Sequence, residues 1–374
     1  METPDVIVIG GGIVGQVAAI EIAATGASVT LIDAGTNAGS TANAGSLHVQ
    51  MQSRIMRLNP EQVPAIEASL PLYRAAVAEW ERLDRAHGPF GLVRKGGLMV
   101  AESAEQLAFL EGKAEREARQ GLDVDILDRD ALDRIAPWLG PHVVGAELCR
   151  DEGKLDPLAA NLALRAEARR LGVRIVADDI AALEPGPRVT VRGGRETYAA
   201  DRVVVAASWG SGPLLASLGL AMPTVAEPLH MNITEPCAVA VAHLVQHAER
   251  MITLKQMASG QIVIGGGWPA RGRGRADPPQ VDPASMLANV ALAGRLVPAI
   301  GHMRILRTWA GMNTTIDGIS TAGPVPGHPR VVVAVPGDAG YTLGPLVARM
   351  AASFVTGAAP PVDPGPYTPA RFAA

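Results

Sequence analysis

Short apolar runs alternate along this chain with longer segments that repeat apolar residues every three to four positions. The clearest runs are VIVI (6–9), DRVVVAAS (201–208) and RVVVAV (330–335). Continuous apolar runs of this length are typical of strands buried on both faces of a parallel sheet. Segments with helical periodicity lie at 13–26, 157–172 and 344–357. The pattern therefore predicts βα units and an α/β fold.

Blocks of different character separate these βα pieces, which predicts a discontinuous domain. Residues 59–144 are mainly helical, and residues 218–315 are rich in strands. We expect a Rossmann-type domain formed by residues 1–58, 145–217 and 316–374. The inserted domain, 59–144 and 218–315, is expected to be α+β and built on a mostly antiparallel sheet.

A glycine cluster directly follows the first apolar run. Gly10, Gly12 and Gly15 have G-x-G-x-x-G spacing, a helical segment follows, and a second strand ends at Asp33. Gly10 permits a tight turn, Gly12 has no Cβ to block a pyrophosphate, and Gly15 lets the helix approach the strand. The helix N-terminus attracts phosphate, and Asp33 can accept hydrogen bonds from ribose hydroxyls. The sequence predicts a dinucleotide site here.

A second glycine cluster, QIVIGGG (261–267), repeats the strand but not what should follow it. Trp268, Pro269 and several further prolines and glycines come next, and such residues do not open a helix. No helix N-terminus is then available to hold a pyrophosphate. We interpret the segment as a strand that enters an exposed basic loop, which contains Arg271, Arg273 and Arg275.

Charge and composition narrow the class of protein. A formal net charge of −4 argues against nucleic acid as a partner. Cys149 and Cys237 are the two cysteines, and this number fits a reducing compartment. No targeting segment or membrane span is evident, so we expect a cytoplasmic protein. His243 and His247 are four residues apart, but no third ligand suggests itself, so no metal site is predicted.

Taken together, these residues resemble the FAD-dependent D-amino acid oxidase family, which includes glycine oxidase and sarcosine oxidase. Within that family the chain is most similar to the catalytic subunit of opine oxidases and to dye-linked D-amino acid dehydrogenases. The resemblance covers nearly the whole chain. The motifs that carry it are GGGIVG with Asp33, STANAGS (40–46), GGLMVAES (96–103), DEGKLDP (151–157), RVVVAAS (202–208), RTWAGMNTTIDG (307–318) and GDAGYTLGPLVARM (337–350).

The resemblance implies noncovalent FAD at the interface of the two domains. It assigns cofactor contacts to the glycine turn and its strand, the STANAGS loop, the end of the strand after Val203, and the last Gly-rich turn. One departure is Ser208, where relatives have glycine. The residues so assigned are Gly10, Gly12, Ile13, Val14, Gly15, Asp33, Ala34, Ser40, Thr41, Ala44, Gly45, Ser46, Ala207, Ser208, Gly337, Gly340, Tyr341, Thr342 and Leu343.

The implied reaction moves a hydride from the carbon beside an amine nitrogen to flavin N5, and water hydrolyses the resulting imine. His48 follows the flavin-side loop, so we expect it to face the ring or the substrate, or else to be a packing or surface histidine. Tyr341 is expected either to hydrogen-bond the substrate or to cover the ring.

Simple amino acid oxidases of this family have an arginine shortly after Trp-Ala-Gly, and it binds the substrate carboxylate. Asn313 stands at that position here. An amide carries no charge, which favours a larger opine-like substrate held by further contacts. Asn313 alternatively caps a turn, and another cation, such as Arg54 or Arg307, binds the carboxylate. Arg54 and Arg57, which follow His48, either offer charge to a dicarboxylate or are solvated at the surface.

We therefore expect an FAD-dependent dehydrogenase of secondary amines or amino acids, with an opine-like substrate and other dehydrogenase subunits as partners. The alternatives are a D-amino acid or D-hydroxyproline dehydrogenase, and a glycine-oxidase-like oxidase. A non-catalytic, flavin-binding scaffold or electron-relay subunit is a rival of another class. An NAD-dependent dehydrogenase is disfavoured because no compact six-strand alternation follows Asp33.

Overall fold

The computed structural model describes residues 4–36, 39–272, 274 and 277–373. The helices in this part of the chain are α1 (Ile13–Ala23), α2 (Ser53–Leu58), α3 (Val63–His87), α4 (Ala104–Arg119), α5 (Arg129–Ile135), α6 (Pro157–Arg170), α7 (Ser211–Ala216), α8 (Pro283–Leu296) and α9 (Gly340–Thr356).

The strands in the same ranges are β1 (Val6–Ile9), β2 (Val29–Asp33), β3 (Ser46–Leu47), β4 (Gly97–Ala101), β5 (Val124–Asp128), β6 (Gly145–Cys149), β7 (Gly153–Lys154), β8 (Arg174–Ala177), β9 (Ile180–Glu184), β10 (Val189–Gly193), β11 (Thr197–Ala200), β12 (Arg202–Val205), β13 (Val225–Pro236), β14 (Leu244–His247), β15 (Thr253–Gln256), β16 (Gln261–Gly265), β17 (Ile305–Thr315), β18 (Thr321–Val325) and β19 (His328–Val335).

The predicted parallel sheet is confirmed. Its strand order is β18-β19-β12-β1-β2-β8, and every neighbouring pair is parallel except the β18–β19 hairpin. Ile7 and Val8 at its centre are fully buried, as the continuous apolar run requires. Helices α1 and α9 pack on one face, and the small antiparallel sheet β9–β11 with α7 covers the other.

The second large sheet has the order β17-β13-β16-β15-β14-β4-β6-β5. Neighbouring strands are antiparallel except β4 and β14, which confirms the mostly antiparallel character expected. Strand β6 belongs to this sheet, although the predicted boundary at residue 145 assigned it to the Rossmann-type domain. The sheet pairing therefore moves that boundary beyond Cys149, and the other boundaries stay a prediction.

The structure agrees with the interpretation of the second glycine cluster. Strand β16 ends at Gly265, and the described residues between it and α8 contain no helix. Gly266 and Gly267 have φ values of +97° and +83°, a backbone conformation that favours glycine. Arg271 forms a surface ion pair with Asp282, while Arg273 and Arg275 lie outside the described residues.

A buried ionic cluster fixes α4 on the second sheet. Lys113 Nζ is 2.7 Å from a carboxylate oxygen of Glu147 and 2.8 Å from one of Glu117, and all three side chains are fully buried. Lys113 also donates to Gln50 Oε1 at 3.2 Å. Burial lowers the pKa of Lys113, but the two carboxylates outweigh burial and raise it, so the amine stays charged.

We expect Lys113→Met to lower the free energy of unfolding by about 3–5 kcal/mol, because it leaves the buried carboxylates without their cation. Urea denaturation followed by circular dichroism measures this change. Lys95→Met is the matched control, since Lys95 is exposed and precedes β4 in the same domain. The prediction is wrong if the two variants lose the same stability.

Candidate active site

A cavity of about 950 Å³ lies between the two large sheets. The carboxyl ends of β1, β2 and β19 open into it from the Rossmann-type side. Residues of β13 and β17 and the Gly266–Gly267 turn form the opposite wall. Crevices at the carboxyl ends of parallel strands are the usual ligand sites of such folds.

Backbone contacts explain the spacing of the first glycine cluster. A Cβ on Gly15 would lie 1.7 Å from the carbonyl oxygen of Gly10, so α1 crosses β1 at a distance that only glycine allows. Gly10 has φ +107°, and its Cβ would lie 2.2 Å from the Ala206 carbonyl oxygen. The turn therefore places the N-terminus of α1 at the cavity.

The N-terminus of α1 fits a phosphate group. Its first turn, Ile13–Gln16, contains no charged residue, so the positive end of the helix dipole is not neutralised locally. Ser40 Oγ accepts from the Ile13 N–H at 2.8 Å, which holds the next loop over the same point. Asp33 lies at the cavity wall with its carboxyl group beside Gly11, where an added Cβ would be 2.6 Å from Asp33 Cγ.

The STANAGS loop forms the adjacent wall. Asn43 Oδ1 accepts from the Gly45 N–H at 2.7 Å, and a Cβ on Gly45 (φ +78°) would lie 2.3 Å from the Leu155 carbonyl oxygen. Trp309 Nε1 donates to the Ala42 carbonyl at 2.8 Å, so the loop is bound to both domains. The loop residues expected to contact the cofactor that line the cavity are Ser40, Thr41, Ala44 and Ser46.

Helix α9 presents a second N-terminus to the cavity. Gly337 (φ +78°) turns the chain from β19 into this helix, and Gly340 begins it. Thr342 Oγ1 accepts from the His48 N–H at 3.0 Å, which joins this turn to the segment that follows the STANAGS loop. The residues expected to contact the cofactor that line the remaining wall are Gly10, Gly12, Ile13, Val14, Asp33, Ala34, Ala207, Ser208, Gly337, Gly340, Tyr341, Thr342 and Leu343.

Ser208 has a backbone conformation that favours glycine. Its φ is +58°, and in the part of the chain that the structure describes it is the one non-glycine residue with positive φ. This conformation costs free energy for a residue with a side chain. The Ser208 hydroxyl hydrogen-bonds Thr314 on β17, and this contact offsets part of that cost.

The three substrate-side candidates have different surroundings. His48 lines the cavity, and its Nδ1 is 3.8 Å from Glu152 Oε1. Asn313 also lines the cavity, but its amide donates to Glu227 Oε2 at 3.1 Å on the neighbouring strand β13. A carboxylate is therefore the direct neighbour of Asn313, the residue at the position where an arginine is expected in simple amino acid oxidases.

Tyr341 does not fit the expected role of substrate hydrogen bonding. Its ring is buried and stacks on Trp80 at a centroid distance of 5.0 Å. Its hydroxyl donates to the Pro157 carbonyl and accepts from Asn161 Nδ2, each at 3.3 Å. The hydroxyl is already satisfied inside the protein, which supports the alternative, an amphipathic residue that packs beside the cofactor.

Of the proposed carboxylate-binding cations, Arg57 and Arg307 do not line the cavity. Arg57 pairs with Glu249 and lies 3.8 Å from the Phe109 ring centroid, and Arg307 lies over Trp309. The side chain of Arg54 lies outside what the structure describes. Among the described residues, Arg250 is the one arginine that lines the cavity. No sequence pattern indicated it, because it lies in an ordinary turn between β14 and β15.

Arg250 belongs to a polar cluster at the cavity wall. It forms an ion pair with Glu102, which also accepts from Arg295 Nε at 2.6 Å. His247 Nδ1 accepts the backbone N–H groups of Glu249 and Arg250 at 2.9 and 3.1 Å. Burial lowers the pKa of His247 to about 4, so this ring is neutral and its Nε2–H faces Glu102 at 3.2 Å.

His243 and His247 have the four-residue spacing that also occurs in zinc sites. These residues flank and end a strand, β14, rather than sharing a helix face. Within the described ranges, no group of three or more His, Cys, Asp or Glu side chains could hold a metal ion. Likewise, no helix in the described ranges is long and apolar enough to cross a membrane.

Comparison with known proteins supports the resemblance. Residues 5–354 match the family described as FAD dependent oxidoreductase (DAO). The chain is 29% identical to glycine oxidase of Pseudomonas putida, over 97% of this chain and 98% of the relative. It is 25% identical to an opine oxidase subunit of Rhizobium meliloti, over 84% and 83% of the two chains.

Solved structures share the fold. Glycine oxidase from Geobacillus kaustophilus superposes with a TM-score of 0.85 at 21% identity, covering 98% of both chains. An L-proline dehydrogenase from P. horikoshii gives 0.84 at 21% identity, covering 99% and 98%. Because the family match spans nearly the whole sequence, this chain belongs to the DAO family of FAD-dependent oxidoreductases, and it acts on the C–N bond of amino acid or amine substrates.

Proposed function

We propose that the protein oxidises the C–N bond of an opine-like secondary amine and works as the catalytic subunit of a hetero-oligomeric dehydrogenase. The observation that carries the substrate class is the pairing of Asn313 with Glu227. A carboxylate at this point repels the carboxylate of a small amino acid. A substrate must therefore be bound elsewhere by its negative groups, and a larger molecule reaches further across the cavity.

Arg250 is the cation that such a substrate can reach. It precedes β15, whereas Glu227 lies in β13, and β16 separates the two strands. Two strand spacings place these strands about 10 Å apart. A compound with two charged groups joined through a secondary amine spans this distance better than glycine does. Since Arg250 is already oriented by Glu102, it is prepared for a bidentate carboxylate contact.

The negative side of the cavity contains a second carboxyl group. Asp338 lies on the cavity wall, where burial and the charge of Glu227 raise its pKa to about 6. This group and Glu227 favour the substrate's amine over its carboxylates. The cavity is therefore divided into a cationic and an anionic part, which supports binding of a substrate in one direction.

The residues around the glycine turn would hold FAD. The N-termini of α1 and α9 would bind its negatively charged or oxygen-bearing groups, and Asp33 would accept hydrogen bonds from the ribose hydroxyls. The chemistry that bound FAD supplies is acceptance of a hydride from the carbon beside the amine nitrogen. The protein's contribution is to orient that carbon and to exclude water between the two sheets.

The partner subunits are proposed from one relative. The opine oxidase relative is, by its name, one component of a larger enzyme. A glycine-oxidase-like activity is the second candidate, favoured by the 29% identity to the Pseudomonas putida enzyme over almost the full length of both chains. The rival of another class, a flavin-binding scaffold without activity, is disfavoured by the family's action on C–N bonds, and reduction by substrate separates it from both.

We expect opines with two carboxylates to bleach the flavin of the purified protein anaerobically, and glycine and D-alanine to do so poorly. Titrations that follow the visible flavin absorbance measure this difference. Fastest reduction by glycine or D-alanine would favour the oxidase candidate instead. Bound flavin that no compound in a broad panel reduces, even with partner subunits present, would support the scaffold.

We expect Asp33→Ala to yield largely FAD-free protein with a lower melting temperature, because a ligand that binds only the folded state stabilises it. The ratio of flavin to protein and the melting temperature with and without added FAD measure the effect. Asp178→Ala is a useful comparison, since this carboxylate follows the adjacent strand β8 and binds Tyr198 and nearby N–H groups. Full flavin occupancy in Asp33→Ala would show that the ribose is held elsewhere.

We expect Arg250→Met to raise the apparent substrate constant for a dicarboxylate opine about 30- to 1000-fold, the equivalent of roughly 2–4 kcal/mol for a lost charged hydrogen-bond pair. Arg295→Met is the matched control, because Arg295 binds the same Glu102 but does not line the cavity. Equal effects of the two substitutions would mean that only the Glu102 cluster, and not a substrate contact, was disturbed.

A further inference from the structure

A buried carboxylate, Glu152, lies directly behind the part of the cavity wall that contains His48. Glu152, in the turn between β6 and β7, is fully buried. Its Oε1 accepts the backbone N–H groups of Val49 and Gln50 at 2.9 and 3.2 Å. Its Oε2 accepts from the side-chain amides of Gln50 and Gln246, each at 2.9 Å. Four N–H donors thus fix both oxygens of one carboxylate.

The surrounding chain is shaped for this group. A Cβ on Gly97, the first residue of β4, would lie 1.8 Å from Glu152 Oε2, so a larger residue there would displace the carboxylate. Burial raises the pKa of Glu152, but His48, Gln50 and Val49 outweigh burial and hold the pKa below its ordinary value. Glu152 is therefore a permanent negative charge inside the protein.

His48 is a neighbour of this charge whose ring lines the cavity. Its side chain is 25% exposed, and its Nδ1 lies 3.8 Å from Glu152 Oε1. That Nδ1 is buried and has no hydrogen-bond partner among the described residues. A buried ring nitrogen beside a carboxylate is most stable as an N–H donor to it. This tautomer leaves Nε2 with a lone pair, and Nε2 is on the edge of the ring that the protein does not bury.

The chemistry of amine oxidation requires such a base if the substrate arrives protonated. An ammonium nitrogen has no lone pair to form the C=N bond as the hydride leaves. One N–H bond must therefore break before, or together with, the loss of hydride. A base near the amine that becomes positively charged on taking the proton needs a fixed negative charge behind it.

We propose that His48 Nε2 takes the proton of the substrate ammonium, and that Glu152 is the positioning residue that holds the ring and pairs with the imidazolium through Nδ1–H. The N–H bond of the ammonium breaks, the Nε2–H bond forms, and the freed electron pair becomes available for the imine. The inference rests on the proposed function, because it assumes an amine substrate in this cavity.

Rapid-mixing measurements of anaerobic flavin reduction, with the best substrate of the panel, test the proposal in a double-mutant cycle. We expect His48→Gln to lower the limiting rate of reduction about 100- to 10,000-fold, with a much smaller change in the substrate dissociation constant. Glu152→Gln should lower the rate about 10- to 100-fold. The double variant should be no slower than His48→Gln alone, since Glu152 acts through His48.

Glu117→Gln is the matched control. Glu117 is also a buried carboxylate, and it holds the same segment by accepting the Met51 N–H, but it does not contact His48. Glutamine keeps an acceptor oxygen for the Met51 N–H, and Lys113 keeps its ion pair with Glu147. We expect the flavin of this variant to be reduced by substrate at the wild-type rate. Multiplied effects in the double variant, or equal losses in Glu117→Gln and Glu152→Gln, would overturn the proposal.

A second measurement does not depend on turnover. Nitrogen NMR of the imidazole in the FAD-free protein should show the Nδ1–H tautomer of His48, and Glu152→Gln should lose it. An Nε2–H tautomer in the wild type would overturn the pairing. If Glu152→Gln does not fold, Glu152→Asp keeps the charge and should retain the tautomer with a partial loss of rate. If no substrate reduces the flavin of the wild type, both the proposed function and the proton transfer to His48 are wrong. The NMR result then tests the pairing of His48 with Glu152 by itself.

Discussion

The crossing of α1 over β1 at Gly10 and Gly15 is the contact on which the rest of the site depends. A side chain at position 15 would overlap the Gly10 carbonyl oxygen. With glycine there, α1 lies closer to the sheet than it could with any other residue at that position. This closeness aims the helix N-terminus at the carboxyl ends of the strands. The STANAGS loop, helix α9 and the second large sheet are all arranged around the N-terminus of α1.

Segment 40–52 converts this local geometry into one cavity between two sheets. Its first part is bound by Ser40 to the N-terminus of α1 and by Trp309 to β17. Its last part is held through backbone N–H groups by the buried carboxylates Glu152 and Glu117. Charged groups inside a protein are costly unless they are paired and hydrogen-bonded. Here each buried acid accepts backbone N–H groups of the cavity wall, and these hydrogen bonds offset part of the free energy that its burial costs.

A few polar and charged side chains then determine the charge distribution of the cavity wall. Serine and carboxylate groups occupy positions where glycine and arginine are expected in simple amino acid oxidases, at Ser208 and beside Asn313. The cation of the cavity comes instead from Arg250, in the turn before β15. The fold forms the cavity between the two sheets, and these few side chains set the charge along its wall.

The sequence by itself determined the parallel sheet, the dinucleotide turn and the lookalike nature of the second glycine cluster. These features depend on residues close together in the chain, where strand periodicity, a glycine turn and a following helix constrain one another. The Glu152–His48, Glu102–Arg250 and Glu227–Asn313 contacts were decided only by the tertiary structure. Asn313 meets Glu227, 86 residues away, through the register of β13 on β17, and Arg295 meets Glu102 across 193 residues. Neither register nor the direction of a buried side chain is encoded in local periodicity, because both are set by the packing of the two sheets around the cavity.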